Sequence, residues 1–300
     1  MTELVKKPLR ALFRAATRLY PREYGKYSLL MKFYFPYLAP LPPSREVVTL
    51  SSGIRMDLEL NEYVQSQLYL FGNFEPATVK VLKRLLKSGD MVLDIGANVG
   101  YIALEMAKCV GASGKVFAFE PDAKNFALLK RNLELNPDCN IEPIALAVSD
   151  TNAPLRLYKS IIDFNDSAHS TLPSEKHSVD FIEIPTTTID DFVQSRGVQK
   201  LNAIKIDIEG AEMSAFRGMR QTLSRFRPIV ISELCAEHQA RAGYTTQSVK
   251  EWIATNVQMQ PFKISESGTL HKVKLEEEHV ADNVAFIPSE RIREVQPLIS

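Results

Sequence analysis

Three hundred residues, 45% apolar and 24% charged, are enough for one large domain with additions around a sizeable core. Lys and Arg total 36 and Asp and Glu total 36, so the chain is formally neutral, which argues against a whole-protein binder of nucleic acid or another polyanion. Cys109, Cys139 and Cys235 form no CxxC pair, which argues against a disulfide framework or zinc site and for reduced, buried thiols in a cytoplasmic setting. No stretch reaches the roughly 18 uninterrupted apolar residues of a membrane-spanning helix, and no secretory h-region is visible.

The arm, residues 1–45, is basic. Lys6, Lys7, Arg10, Arg14, Arg18, Arg22, Lys26 and Lys32 outnumber Glu3 and Glu23. Leu9, Leu12, Phe13, Ala16, Leu19 and Tyr20 share one helical face, Lys7, Arg10, Arg14 and Arg18 fall on the other, and Pro21 stops the helix. Two readings stay open. Residues 4–20 make peripheral contact with an anionic membrane surface, or the helix packs on the domain with its basic face in solvent. Prolines in Leu38–Pro43 mark a hinge into the next segment.

Glu46–Leu50 and Arg55–Leu60 alternate around Ser51-Ser52-Gly53, which predicts a β-hairpin. Helices follow at Tyr63–Gly72 and Ala77–Lys87. Glu75, just before the second, reads as an acid at a helix N-terminus.

Met91–Tyr101 organises the rest. An apolar run ends in Asp94, a small turn with Gly96 and Gly100 follows, and a helical pattern begins at Ile102. This is a strand, a tight turn and a helix start, whose first N–H groups are unpaired. A P-loop would need Gly-Lys-Ser/Thr here, and no Lys lies between Gly96 and Tyr101. A dinucleotide fingerprint would need glycine where Asn98 and Tyr101 stand. A nucleoside ligand without phosphate and with a charged end facing Asp94 fits better, and S-adenosylmethionine (SAM) is such a ligand. Glu120 ends the next strand, Lys115–Phe119, where a carboxylate accepts both ribose hydroxyls.

Strand and helix signals then alternate through Ala123–Leu135, Ile141–Val148, Ala203–Ile208, Ala211–Leu223 and Pro228–Leu234, which predicts a parallel, helix-covered sheet. Residues 151–187 interrupt it with an inserted hairpin or lid, Leu155–Tyr158 and Val179–Pro185 flanking a polar stretch. His169 in that stretch either orients or deprotonates a hydroxyl or is a solvated loop histidine. Lys205-Ile-Asp207-Ile-Glu209-Gly210-Ala-Glu212 places three carboxylates at one strand end. They suit a SAM amino group, a general base or a divalent cation, with Glu212 the one that reads as a helix N-terminal acid. Glu233 ends the following strand on the same rim, and His238 reads as a surface histidine. Thr246–Asn256 is a helix whose Trp252 packs. Pro261–Ile264, His271–Leu275 and Val284–Ile287 complete the sheet, the last ones antiparallel, and Glu276–His279 reads as a solvated turn.

Val92–Tyr101, Phe119-Glu-Pro-Asp122, Thr188-Ile-Asp-Asp-Phe192 and Lys205–Glu212 together resemble the FkbM-type family of SAM-dependent methyltransferases, the last of them most specifically. The resemblance runs from Phe71 to Pro288. It implies an α/β, Rossmann-like class I methyltransferase with a seven-stranded, mostly parallel sheet, helices on both faces and an N-terminal helical and hairpin extension. The division expected is an arm at 1–45, a hairpin and helix cap at 46–90, and a methyltransferase domain at 91–300. SAM would be held by Asp94, Gly96, Ala97, Asn98, Gly100, Tyr101, Glu120 and Pro121, with Ala147 or Asn140 at the adenine edge and Glu75 beside the cofactor mouth. The resemblance implies O-methylation of a sugar, glycolipid or other secondary metabolite, with Asp207, Glu209 and His169 as candidates for activating the hydroxyl. A divalent cation is left open and no metal ligands are assigned. The Asn/Asp-Pro-Pro-Tyr/Phe motif of N-methyltransferases acting on macromolecules is absent. A non-catalytic SAM-binding scaffold is the reading from another class.

Overall fold

The computed structural model describes residues 3–19, 25–40, 42–160, 169–171, 173, 175 and 177–300. The chain opens with helix α1 (Glu3–Arg18) and helix α2 (Lys26–Leu29), which runs on as a π-helical segment, Leu30–Leu38. Tyr20 and Pro21, the predicted end of the first helix, lie outside the described residues.

Strands β1 (Arg45–Thr49) and β2 (Arg55–Glu59) form the predicted hairpin, with Val48 opposite Met56. Helices α3 (Tyr63–Phe71) and α4 (Pro76–Leu85) follow. Leu30, Tyr34, Met56, Leu58 and Leu68 bury a small core of their own, closed by Tyr101, Leu104 and Leu128 from the larger unit.

α1 does not pack through its predicted apolar face, as the packed-helix expectation required: Arg10 and Arg14 of the predicted basic face turn toward the protein, while Lys7 and Arg18 stay exposed. Lys6, Arg10 and Thr17 are buried, while Leu4, Leu9, Leu12 and Leu19 are exposed. The cause is the ends of the neighbouring helices, whose last carbonyls lack intrahelical donors and carry partial negative charge. Lys6 Nζ donates to Ala39 O at 3.1 Å, Arg10 to Leu38 O at 2.8 Å, and Thr17 Oγ1 to Leu70 O at 3.0 Å. The Arg14 guanidinium lies 4.4 Å over the Tyr69 ring.

The main unit alternates β3 (Met91–Ile95), α5 (Tyr101–Val110), β4 (Lys115–Phe119), α6 (Ala123–Glu134) and β5 (Ile141–Ile144). After β5 come β6 (Ala147–Val148), β7 (Leu155–Ser160), β8 (His177–Ile184), β9 (Thr186–Thr187) and α7 (Ile189–Ser195). Next are β10 (Ala203–Ile206), α8 (Glu212–Gly218), α9 (Arg220–Phe226), β11 (Ile229–Cys235), α10 (Ala236–Arg241) and α11 (Thr246–Val257). The chain closes with β12 (Met259–Ile264), β13 (Leu270–Lys272) and β14 (Ala281–Pro288) before short terminal turns.

One eight-stranded sheet runs β13-β12-β14-β11-β10-β3-β4-β5. β11, β10, β3, β4 and β5 pair in parallel, and β14, β12 and β13 add antiparallel neighbours at one side. The sheet has eight strands where the family resemblance implied seven, and its short edge strand β13 overlaps the predicted strand His271–Leu275. Residues of β10 are buried on both faces, as a parallel strand under two helical layers must be. Alternation splits the apolar side chains between the layers. Leu93, Phe117 and Ile204 face α7, α8 and α11, while Val92, Val116 and Ala203 face α4 and α5.

The predicted strand Ile141–Val148 is broken after Ile144. Ala147–Val148 leaves the sheet edge to pair with Thr186–Thr187 at the base of the insert. β7 and β8 form the inserted hairpin, whose 161–168 stretch lies outside the described residues. Thr188 accepts from Asp191 N–H to cap α7, and Asp190 accepts from Gln221 and Thr222 N–H at the start of α9. Glu276–His279 is not merely a solvated turn: His279 is buried, with Nδ1 at 2.9 Å from Asp282. All three cysteines are free and half-buried rather than buried. Among the described residues no helix is long and apolar enough to cross a membrane.

Candidate active site

The carboxyl ends of β3, β4 and β10 open on one cleft, closed from the side by α3, Phe74 and the insert. Loop 96–100 between β3 and α5 lines it. Gly96 has φ +85°, and a Cβ there would lie 1.9 Å from Asp207 O, so the crossing of this loop with the end of β10 admits only glycine. Asn98 takes a left-handed φ of 49°, which Asn tolerates better than most residues.

Glu120 locks the loop. Its two carboxylate oxygens accept from Asn98 N–H at 2.8 Å and Asp122 N–H at 2.9 Å. Burial pushes the Glu120 carboxyl up to about 7 despite these donors. Asp122 caps α6 through Lys124 and Asn125 N–H.

Asp94 is buried, and its Oδ2 has no hydrogen-bond partner among the described residues. Burial pushes its carboxyl up to about 7, against the pull of Lys205. The register sets Asp94 beside Lys205 on the neighbouring strand. Lys205 is 2% exposed, with Nζ at 3.4 Å from Asp207 and 3.6 Å from Glu75. Burial works against its charge, but Asp207, Glu75, Glu233 and Asp94 outweigh it and the ammonium is held protonated. Glu75, raised by burial, also accepts from Asn283 Nδ2 at 3.1 Å. Glu233, raised by Asp207 and then by burial, reaches about 9. One buried cation thus meets several carboxylates.

Glu209, at a left-handed φ of 52°, faces the cleft and lies 2.9 Å from His238 Nδ1. Burial lowers the imidazole pKa, but Glu209 outweighs it and the net shift is upward. Glu212 is buried outside the cleft lining, accepting from Gly210 N–H at 3.1 Å and meeting Tyr244 Oη at 3.2 Å. His169 faces the cleft. Its Nδ1 accepts from Ser160 N–H at 3.1 Å, and its Nε2 lies 3.7 Å from Asp122.

The cleft brings together Asp94, Gly96, Ala97, Asn98, Tyr101, Glu120, Pro121, Ala147, His169, Asp207 and Glu209. Gly100 is not in the lining; a Cβ there would lie 2.5 Å from Leu129, so it serves the close approach of α5 and α6. Asn140 is bonded to Gly114 O at 2.7 Å, away from the lining. Sequence reasoning gave no role to Lys205, whose signal was a lone charge inside an apolar strand. It also read His238 as a surface residue, and nothing local marks it as a partner of Glu209. Among the described residues, no group of three or more His, Cys, Asp or Glu is arranged to hold a metal ion.

The sheet order is that of a doubly wound α/β fold, in which ligands sit beyond the carboxyl ends of the strands, where this cleft lies. Residues 94–260 match the family model described as the methyltransferase FkbM domain, and the chain belongs to that family. Its fold is therefore the Rossmann-like class I methyltransferase fold. Hexuronic acid methyltransferase AglP of Haloferax volcanii is 26% identical over 158 residues, 52% of this chain and 61% of that protein. 2-O-methyltransferase NoeI of Sinorhizobium fredii is 25% identical over 160 residues, 49% of this chain and 65% of that protein. The chain thus spans less than two thirds of either curated relative. The crystal structure of methyltransferase FkbM from Methylobacillus flagellatus overlaps 75% of this chain and 48% of its own, at 19% identity and a TM-score of 0.43.

Proposed function

We propose that this chain is a SAM-dependent O-methyltransferase acting on a hydroxyl of a sugar, glycolipid or other secondary metabolite. The observation that carries the reading is the unpartnered, buried Asp94 Oδ2 in a cleft with more carboxylates than cations. Such a cleft is completed by a ligand that brings positive charge and donors. SAM fits, with an ammonium for Asp94 and ribose hydroxyls for Glu120; its sulfonium supplies an already activated methyl group. Ala97, Asn98 and Tyr101 would line the loop side, and Pro121 and Ala147 the nucleoside side.

The chain's own work is positioning and proton removal. The acceptor oxygen gains a methyl group and loses its proton. Asp207 and Glu209 are the carboxylates placed to take it. Lys205 fixes Asp207, and His238 fixes Glu209 and offers the proton a way onward. His169 is better placed to order the insert over Asp122, since its Nδ1 already accepts from Ser160. The printed names of the curated relatives, a hexuronic acid methyltransferase and a 2-O-methyltransferase, support the sugar hydroxyl class. Peripheral contact of residues 4–20 with a membrane belongs to the same reading and would suit an amphiphilic acceptor.

Calorimetric titration with SAM, beside Glu120→Ala, tests it. Saturable binding that weakens by roughly a hundredfold or more in the variant is expected, since two charge-assisted hydrogen bonds are lost. Binding of NADH in place of SAM would overturn the reading. Asp207→Asn should then keep SAM affinity and lose turnover.

A further inference from the structure

We propose that the outward face of α1, with the adjoining segment 26–38, docks on an anionic lipid surface. This deepens the peripheral contact just described and assigns it to particular side chains.

The inward face of α1 is chemically specified. Lys6, Arg10 and Thr17 are tied to carbonyls at the ends of two neighbouring helical segments, so the helix cannot turn without leaving those carbonyls unpaired. The leucines are outward for that reason, while Phe13 turns inward onto Tyr34. Leu4, Leu12 and Leu19 are 89%, 68% and 84% exposed, and their spacing sets them on one side of the helix. The segment packed beside it exposes Tyr27, Phe33 and Tyr37 at 62%, 53% and 62%. Leucines together with amphipathic aromatics at this exposure are the composition of an interfacial anchor.

Charge selects the occupant. Residues 4–19 and 25–38 contain no Asp or Glu, and Lys7, Arg18 and Lys32 are exposed among the apolar residues. A second copy docked through the same face would bring the like charges of Lys7, Arg18 and Lys32 together. An anionic lipid surface supplies the opposite charge across its whole area and an apolar layer beneath it. The same segment reaches the cleft: Lys26 Nζ donates to Asn73 Oδ1 at 2.9 Å, and the next two residues, Phe74 and Glu75, line it. Docking here would hold the cleft near the surface, where an amphiphilic acceptor presents its hydroxyls.

Sedimentation of the full chain with vesicles of phosphatidylglycerol and phosphatidylcholine, against phosphatidylcholine alone, tests the proposal. Salt-sensitive binding to the anionic vesicles is expected. Leu12→Glu, at an exposed position that leaves folding intact, should weaken it by roughly tenfold or more. Lys7→Glu with Lys32→Glu should weaken it about fivefold per charge removed. No binding at low salt, or equal binding by Leu12→Glu, overturns the proposal, as does a dimer in light scattering that Leu12→Glu dissolves while vesicles are ignored. SAM titration of the same preparation reports separately on the methyltransferase reading.

Discussion

Asp94→Asn should stabilise the ligand-free protein, increasingly as pH rises above about 4 and fully at neutral to alkaline pH. The Asp94 carboxyl moves from an ordinary 3.8 to about 7 on folding, chiefly through burial. Its folded pKa is above its unfolded one, so the folded state binds more protons and stability falls as pH rises. The penalty is absent below pH 4, grows between about 4 and 7, and is constant above that. Three units at ~1.36 kcal/mol each make it of order 4 kcal/mol for this 2%-exposed side chain. At ~2 °C per kcal/mol for a chain of this size, the melting temperatures of variant and wild type should diverge by ~8 °C between pH 4 and pH 8. Asn is neutral and nearly isosteric, so the two curves should meet at low pH. Glu120 and Glu233 contribute to the wild-type slope in the same direction, but they remain in both proteins and largely cancel in the difference. The assay is thermal unfolding by circular dichroism at half-unit pH steps, without and with SAM. SAM should raise the wild-type melting temperature more at pH 8 than at pH 5 and leave the variant nearly unmoved. Parallel wild-type and variant curves across this range would refute the argument, because they would mean that the buried carboxylate carries no cost for a ligand to relieve.

Gly96→Ala should cost about 3 kcal/mol or more in urea unfolding, since its Cβ meets Asp207 O at 1.9 Å and its φ is +85°. Asp190→Ala removes acceptors for Gln221 and Thr222 N–H and for Thr222 Oγ1, so a loss of ~1–3 kcal/mol in the same assay is expected, with SAM affinity unchanged in calorimetry. His238→Ala should lower turnover about 10–100-fold in a methyl-transfer assay while SAM affinity stays within about threefold, because it withdraws the 2.9 Å partner of Glu209 without touching the cofactor side of the cleft.

The strand-turn-helix at Met91–Tyr101 and the acid ending the next strand were legible because each rests on a local rule. A turn with left-handed residues needs Gly or Asn, and a buried parallel strand needs an unbroken apolar run. The orientation of α1 was not legible. Amphipathic spacing identifies two faces but not which one packs, and here carbonyls from helix ends 20 or more residues away decide it. The break after Ile144 was hidden for a similar reason: Ala147 and Val148 look like more strand, and only their pairing with Thr186 and Thr187 removes them from the sheet. His238 was hidden because its role depends on Glu209, on a different loop.

Lys205 joins these levels. An apolar strand that spends one of its buried positions on a lysine must surround it with acceptors, because an unpaired buried ammonium is costly. The parallel register then sets it beside Asp94, while Asp207 follows at the end of its own strand and Glu75 reaches it from the turn before α4. Removing one partner of such a group usually costs more than the pairing itself contributes. Here the carboxylates exceed the cation, and at the cleft Asp94 is left with its Oδ2 unpartnered among the described residues. A sheet built only for stability would place an apolar residue at both positions. The mismatch is therefore best understood as half of an interaction whose other half is a cationic ligand. The same reasoning separates Asp94 from Glu212, which is equally buried but has both oxygens partnered, by Gly210 N–H and Tyr244 Oη, and so awaits nothing.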